Sequence, residues 1–368
     1  MGKPLNVGIV GLGAISGQYL ETFATLDTVR LVAVADMVES RAAEVAAEQG
    51  VRALTVDELV ADPEVDLVLN LTIPAAHAEI ALKAIAHGKA TYGEKPLAAT
   101  IDQAREVVDA ARRAGVSLGC APDTVLGTGV QTARKTIDDG AIGRPIAATA
   151  TMVTPGHERW HPNPDFYYLP GGGPLLDMGP YYVSTLITLL GPVESVVGSA
   201  SRSRDTRTIG SGPRAGETVP VEIFTHVTGV LRHTSGALST IVMSFDTVAT
   251  HASNIEVHGE RGSMKVPDPN GFAGDVLLHS LGGEWTTVEP SAGYVGAGRG
   301  FGVADLAAAE PGTGGRANGD LALHVLDVMT SLLAAADSGE TVEVTSTCER
   351  PALVPLTEAR QRSAKSPG

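Results

Sequence analysis

"LNVGIVGLGAIS", residues 5–16, decides how this chain is read. An apolar run from Leu5 to Val10 ends at two glycines, Gly11 and Gly13, and "AISGQYLETFATL", 14–26, then repeats its apolar residues at helical spacing. A strand, a glycine loop and a helix in that order make a cradle for a dinucleotide. Gly11 permits the tight turn, and Gly13 lets backbone approach a pyrophosphate at the helix N-terminus, beside Ala14 and Ile15. The third fingerprint position holds Ser16 in place of glycine or alanine. Asp36, 23 residues after Gly13, closes the next β-branched run, at the spacing of the acid that takes the ribose hydroxyls. A carboxylate there repels a 2′-phosphate and favours NAD. Arg41, close by, suits that phosphate and keeps NADP open.

Outward from this unit the pattern repeats. "SRAAEVAAEQG" (40–50) is an alanine-rich helix stopped by Gly50, and "VDLVLNLTIP" (65–74) and "KATYGEKPL" (89–97) are strands separated by the helix "AHAEIALKAIAHG" (76–88). "TIDQAREVVDAARRAG" and "VSLGCAPD" continue the alternation to about residue 122, the form of a parallel sheet covered on both faces. Beyond it the style changes. Segments such as "RPIAATATMV", "VESVVGSAS", "GALSTIVMSFD" and "GSMKVP" predict a mostly antiparallel sheet. Two glycine-rich stretches, 201–218 and 292–320, predict long loops; 320–339 predicts an amphipathic helix, and the last dozen residues a frayed end. The expected fold is α/β plus α+β: a Rossmann dinucleotide-binding domain over 1–122, and a β-sheet domain with a C-terminal helix over 123–368.

Composition narrows the partners. With 368 residues the chain exceeds what one core usually serves, and a formal charge of −15 argues against nucleic acid. The two cysteines, Cys120 and Cys348, offer neither a disulfide framework nor metal spacing, so a reducing compartment is expected and no metal. No separate apolar leader precedes the first strand, and no unbroken apolar run suits a membrane span. The expected location is the cytoplasm, with no membrane partner.

"GGGPLLDMGPYYV", 171–183, sets Asp177 and Tyr181 four residues apart before an apolar run. Pro180 lacks an N–H and belongs in a helix's first turn, which predicts a helix starting near Asp177 with Asp177 as its N-cap. Cap and catalyst are compatible roles. The preceding "PGHERWHPNPDFYYLP" gathers His157, Trp160, His161 and Tyr168 in an aromatic loop suited to a sugar ring, and His157 is a rival proton carrier or a surface residue. Asp123, at the carboxyl edge of the sixth strand, is a candidate for cofactor or substrate.

"GEKPL" (93–97), with the glycine fingerprint, "LTIPAAH" (71–77), "DGAIGRP" (139–145) and "GGGPLLDMGPYY", makes the chain resemble the glucose–fructose oxidoreductase / inositol dehydrogenase (Gfo/Idh/MocA) family over roughly residues 5–190. The resemblance implies a Rossmann domain, an open-faced sheet that mediates a homodimer or homotetramer, and an active site in an interdomain cleft. It implies that Lys95 reaches nicotinamide and substrate oxygen, with Thr72, Pro74, His77 and Glu94 lining the cofactor, though helix-end packing also suits His77. Asp177 matches the family aspartate, while Tyr181 stands where a histidine is usual, so Tyr181 or His157 carries the proton. "CAPDTVLG" lacks an asparagine and an arginine common nearby, which points away from a simple inositol. The implied activity is NAD(P)-dependent hydride transfer at a secondary hydroxyl or keto group of a sugar, glycoside or cyclitol. A redox-assisted glycoside hydrolase or lyase with retained NAD, and a non-catalytic sugar- or NAD-sensing regulator, are the alternatives.

Overall fold

The computed structural model describes residues 3–358; most of the end expected to fray lies outside the described residues. The chain divides into two compact units. The first holds six strands, β1 (Leu5–Val10), β2 (Val29–Ala35), β3 (Arg52–Ala53), β4 (Leu67–Asn70), β5 (Ala90–Gly93) and β6 (Leu118–Cys120). Helices α1 (Ser16–Thr25), α2 (Glu39–Gln49), α3 (Val56–Ala61), α4 (Pro74–Ala86) and α5 (Ile101–Ala114) connect them. All pairs are parallel, in the order β3-β2-β1-β4-β5-β6. The order reverses between β1 and β4, and ligands of such sheets bind at the carboxyl ends there. Val7, Ile9, Val34, Val68 and Leu69 are wholly buried, because helices cover both faces. Gly50 and Gly115, both at φ +66°, end α2 and α5 where the sequence stops them. The short β3 and α3 escaped the sequence reading, although Thr55 and Glu58 form a capping box at the start of α3.

The second unit spans Gly129–Ser291 and His324–Arg350. After α6 (Thr128–Asp138) come β7 (Pro145–Val153) and α7 (Pro174–Leu190). They are followed by β8 (Val193–Ser201), β9 (Thr206–Thr208), β10 (Thr218–Pro220), β11 (His226–His233), β12 (Leu238–Ser244), β13 (Ile255–Gly259), β14 (Gly262–Val266), β15 (Val276–Ser280) and β16 (Trp285–Val288). The main sheet runs β16-β15-β14-β13-β7-β12-β11-β8 and ends on a short edge strand, Val342–Glu343. It is antiparallel throughout except for the β7–β12 pair. Helix α7 packs on one face, where Ala148, Ala150, Ile241 and Met243 are buried. β9, inside the stretch expected to be a long loop, pairs with β10 at its end to form a separate hairpin.

The chain then returns: Ala292–Leu323 and the described residues from Pro351 belong to the first unit, whose leading part runs to Thr128. The second glycine-rich stretch holds α8 (Phe301–Ala308), and the amphipathic prediction becomes α9 (Gly319–Ser338). By length and composition α9 could cross a membrane, yet most of its apolar stretch is buried. His324 accepts a hydrogen bond from Val193 N at 3.0 Å, and Leu332 lies over Gly198 and Gly229, where no Cβ would fit. These are the contacts of a core helix.

Candidate active site

In the first unit the sheet's carboxyl edge collects residues singled out in the sequence: Gly11 after β1, Asp36 after β2, Thr72 after β4, Lys95 after β5 and Asp123 after β6. Gly11 sits at φ +92°, and a Cβ there would come within 2.8 Å of the backbone of Leu71 and Thr72. Only glycine fits. Gly13 is exposed with nothing within 4 Å of its missing Cβ, so the loop leaves an open cradle. No side chain caps α1 and its first turn holds no acid, so no carboxylate competes with a pyrophosphate at this helix N-terminus. Ser16, the unusual fingerprint residue, turns inward and donates to Gly13 O at 2.7 Å. Asp36 accepts from Leu12 N at 2.7 Å and Val38 N at 2.9 Å, which holds its carboxylate at the loop's edge. Met37 and Ile73, absent from the sequence reading, expose apolar side chains after β2 and β4, where an adenine ring needs flat apolar cover. Arg41 donates to Leu12 O at 3.3 Å and pairs with Glu44 at 2.7 Å. These residues fit a bound dinucleotide.

Lys95 follows Glu94, whose carboxylate accepts from Lys95 N at 3.1 Å and from Tyr19 Oη, on α1, at 2.7 Å. The buried pair ties the fingerprint helix to the lysine segment. Burial, together with Glu94, pushes the Tyr19 phenol well above its ordinary pKa, so it stays a donor. Several of the residues expected to meet a ligand make internal contacts. His77 is buried, with its ring nitrogens 2.6 Å from Pro96 O and 3.0 Å from Thr72 O, and so braces the motif loops. Asp123 is wholly buried and accepts from Gly300 N at 2.8 Å and Gly302 N at 3.0 Å, pinning the returning segment. Burial raises its pKa, partly offset by Arg299 and those two N–H groups. Pro74, exposed, opens α4 at its first turn, where a missing N–H costs nothing. Cys120 is buried and its thiol pKa is pushed up by that burial, so it is a core residue.

In the second unit α7 begins earlier than Pro180 suggested. Gly173, at φ +97°, is the N-cap and Pro174 takes the first helical position. Asp177 N already donates to Gly173 O at 3.0 Å, so Asp177 is a first-turn acid, favoured by the helix dipole, and not the cap. Pro180 falls in the second turn, where it withholds one donor from the Leu176 carbonyl. Tyr181 is buried one turn beyond Asp177.

His157 is not a surface loop residue. Its imidazole packs against Phe245, Tyr167 and Trp160, with ring centroids 4.4, 4.6 and 5.3 Å away, and its Nε2 lies 3.3 Å from Asp177 Oδ2. An ionised carboxylate only accepts, so Nε2 carries the proton. Nδ1 is buried and has no hydrogen-bond partner among the described residues. Trp160 is 58% exposed at the edge of this cage, as a ring-stacking residue requires. Tyr168 is the opposite: it is wholly buried, donates from its hydroxyl to Glu158 and accepts from His157 N at 3.1 Å, and so supports the loop. No cluster of three or more metal-ligating side chains occurs among the described residues.

Residues 5–121 match the oxidoreductase family with the NAD-binding Rossmann fold, and residues 130–265 match the GFO/IDH/MocA C-terminal domain. A 1,5-anhydro-D-fructose reductase of Ensifer adhaerens is 32% identical over 70% of this chain and 74% of its own length. A myo-inositol 2-dehydrogenase of Thermotoga maritima is 28% identical over 71% and 74%. The crystal structure of an NAD-binding oxidoreductase from Klebsiella pneumoniae superposes with a TM-score of 0.80 at 26% identity, covering 94% of this chain and all of that one. The fold expected from the sequence, a Rossmann sheet followed by a mostly antiparallel sheet, is the one observed. With NAD as the cofactor of its first domain, the chain belongs to the Gfo/Idh/MocA oxidoreductase family.

Proposed function

We propose that this enzyme oxidises a secondary hydroxyl of a sugar, glycoside or cyclitol, or reduces the matching ketone, using NAD, with Lys95, Asp177 and His157 as its working residues. The contact between His157 Nε2 and Asp177 Oδ2 carries the reading, because it supplies the histidine that position 181 lacks. The chemistry needs an acceptor for the carbinol hydrogen and a base for the hydroxyl proton. Bound nicotinamide supplies or removes the hydrogen with its electron pair. The Lys95 ammonium hydrogen-bonds the reacting oxygen and stabilises alkoxide charge as it develops. Asp177 accepts the hydroxyl proton, and His157, donating from Nε2, fixes the carboxylate's orientation and charge. Trp160 offers an exposed ring face to the substrate. Asp36 favours NAD through the ribose diol.

Tyr181 is a second candidate for the proton, since it lies one turn from Asp177 on the same helix. A ring phenol starts near pKa ~10 and needs a neighbouring cation to serve as base. A panel of polyols and glycosides with NAD and NADP, read by NADH absorbance and product mass together, tests the whole reading. Net NADH release from at least one polyol is expected, with turnover abolished in Lys95→Ala and retained in Tyr181→Phe. Product formed without net NADH would point instead to a retained-cofactor hydrolase or lyase. We further propose a homodimer or homotetramer in the cytoplasm, built on the sheet face that exposes Val197, Val230 and Leu238; sedimentation velocity reports it directly.

A further inference from the structure

Beneath His157 lies a buried ion-pair cluster that no step above uses. Arg207, on β9, is 2% exposed, and its guanidinium meets Glu158 at 3.1 Å, Asp246, and the carbonyl oxygens of Phe245 at 3.2 Å and Pro155 at 3.4 Å. Its plane lies over the Tyr168 ring, 5.4 Å from the centroid. Three of these partners adjoin His157. Glu158 follows His157 in the chain, Tyr168 Oη accepts from His157 N, and the Phe245 ring is one wall of the cage. Asp246 is fixed in turn by Thr225 Oγ1 at 2.6 Å, with Ser203 and Arg204 also facing it. The rest of the β9–β10 hairpin grips the same loop: Gly210 N donates to Glu158 O at 2.7 Å, Ser211 Oγ donates to Trp160 O at 2.7 Å, and Arg214 holds Asp165 through two bonds of 2.6 and 3.1 Å.

One guanidinium thus joins the turn carrying His157 to the strand end carrying Phe245. Apolar side chains of equal volume would hold such a loop at a lower desolvation cost. They would not supply direction: a planar fork with five donors fixes several acceptors at once, which neither an apolar residue nor a lysine does.

We propose that Arg207 is a positioning residue for the Asp177–His157 pair, clamping the His157 turn so that Nε2–H stays on the Asp177 carboxylate. The proposal rests on the functional reading through that pair, and its test includes a readout that does not need turnover. Arg207→Lys keeps the charge and loses the fork, while Glu158→Gln keeps an acceptor for Tyr168 and removes the carboxylate through which Arg207 grips the His157 turn. Both variants and the wild type are compared by thermal melting, by kcat and KM, and by nitrogen-detected NMR of the His157 ring without ligand. The expected result is a folded protein whose kcat falls about ten- to a hundredfold while KM for NAD holds within about twofold. The Nε2–H signal, protected in the wild type, should exchange rapidly in both variants. Wild-type kcat with a protected signal in either folded variant overturns the proposal, as does a kcat loss that only tracks the folded fraction with the ring signal unchanged. Should Arg207→Lys not fold, Glu158→Gln decides alone. Should the wild type oxidise no polyol, the functional reading fails, and loss or retention of the ring signal still supports or overturns the clamp.

Discussion

Gly11 shows how much one residue fixes. Its φ of +92° and the 2.8 Å approach of Leu71 and Thr72 backbone leave no room for a side chain, and the loop it turns is the one that would cradle pyrophosphate. Gly11→Ala should lower unfolding free energy by about 2 kcal/mol and weaken NAD binding at least about tenfold. Chemical melts and fluorescence titration check this; unchanged NAD affinity would show that the loop does not bind the dinucleotide. Gly11, Gly13 and Asp36 are legible in the sequence because the roles expected of them depend on local spacing. Residues whose roles depend on distant partners were not. Nothing in the sequence pairs Tyr19 with Glu94, 75 residues on, or Arg207 with Glu158, 49 residues back. His157 and Asp177, 20 apart, meet only because the intervening aromatic loop folds back on itself. Position at a sheet edge or beside a motif likewise does not reveal that Asp123, His77 and Tyr168 are buried.

At the scale of elements, competing local signals explain where the reading slipped. The start of α7 was drawn to Pro180, but Gly173 and Pro174 supply the stronger start, and one missing hydrogen bond in the second turn is tolerated in a helix this well buried. The 201–218 stretch carries the residues of a loop, yet Arg207 and Arg214 anchor it as a hairpin through ion pairs that composition does not disclose. Helix α9 carries a titratable element contact. His324 is wholly buried, accepts from Val193 N and meets Ser346 Oγ at 3.0 Å, and burial pulls its pKa from 6.5 down to about 4. The folded state therefore prefers neutral imidazole more than the unfolded chain does. That preference is fully present above about pH 6.5 and is lost as pH falls toward 4, by up to about 3 kcal/mol. His324→Gln should flatten this acid limb in urea melts relative to the wild type. His233, also lowered by burial, remains in both proteins, so a residual acid limb is expected in His324→Gln. Identical slopes in the two proteins would remove His324 as the cause.

At the scale of the molecule, the alternation of strands and helices to residue 122 and the change of style beyond it were enough to predict both sheets. The return of Ala292–Leu323 and of the chain from Pro351 to the first unit was not foreseen, because the contact that pins it, Asp123 to the N–H groups of Gly300 and Gly302, spans more than 170 residues. Family membership accounts for the ordered motifs, while Tyr181 marks where this chain departs from the expected pattern and His157 is the residue offered in compensation. The most direct test is kcat for NAD-dependent oxidation of a responding polyol by Asp177→Asn at saturating NAD, beside dinucleotide affinity measured on the same preparation. The account predicts a kcat lower by about two to four orders of magnitude with NAD affinity unchanged; a variant that turns over at the wild-type rate would contradict it.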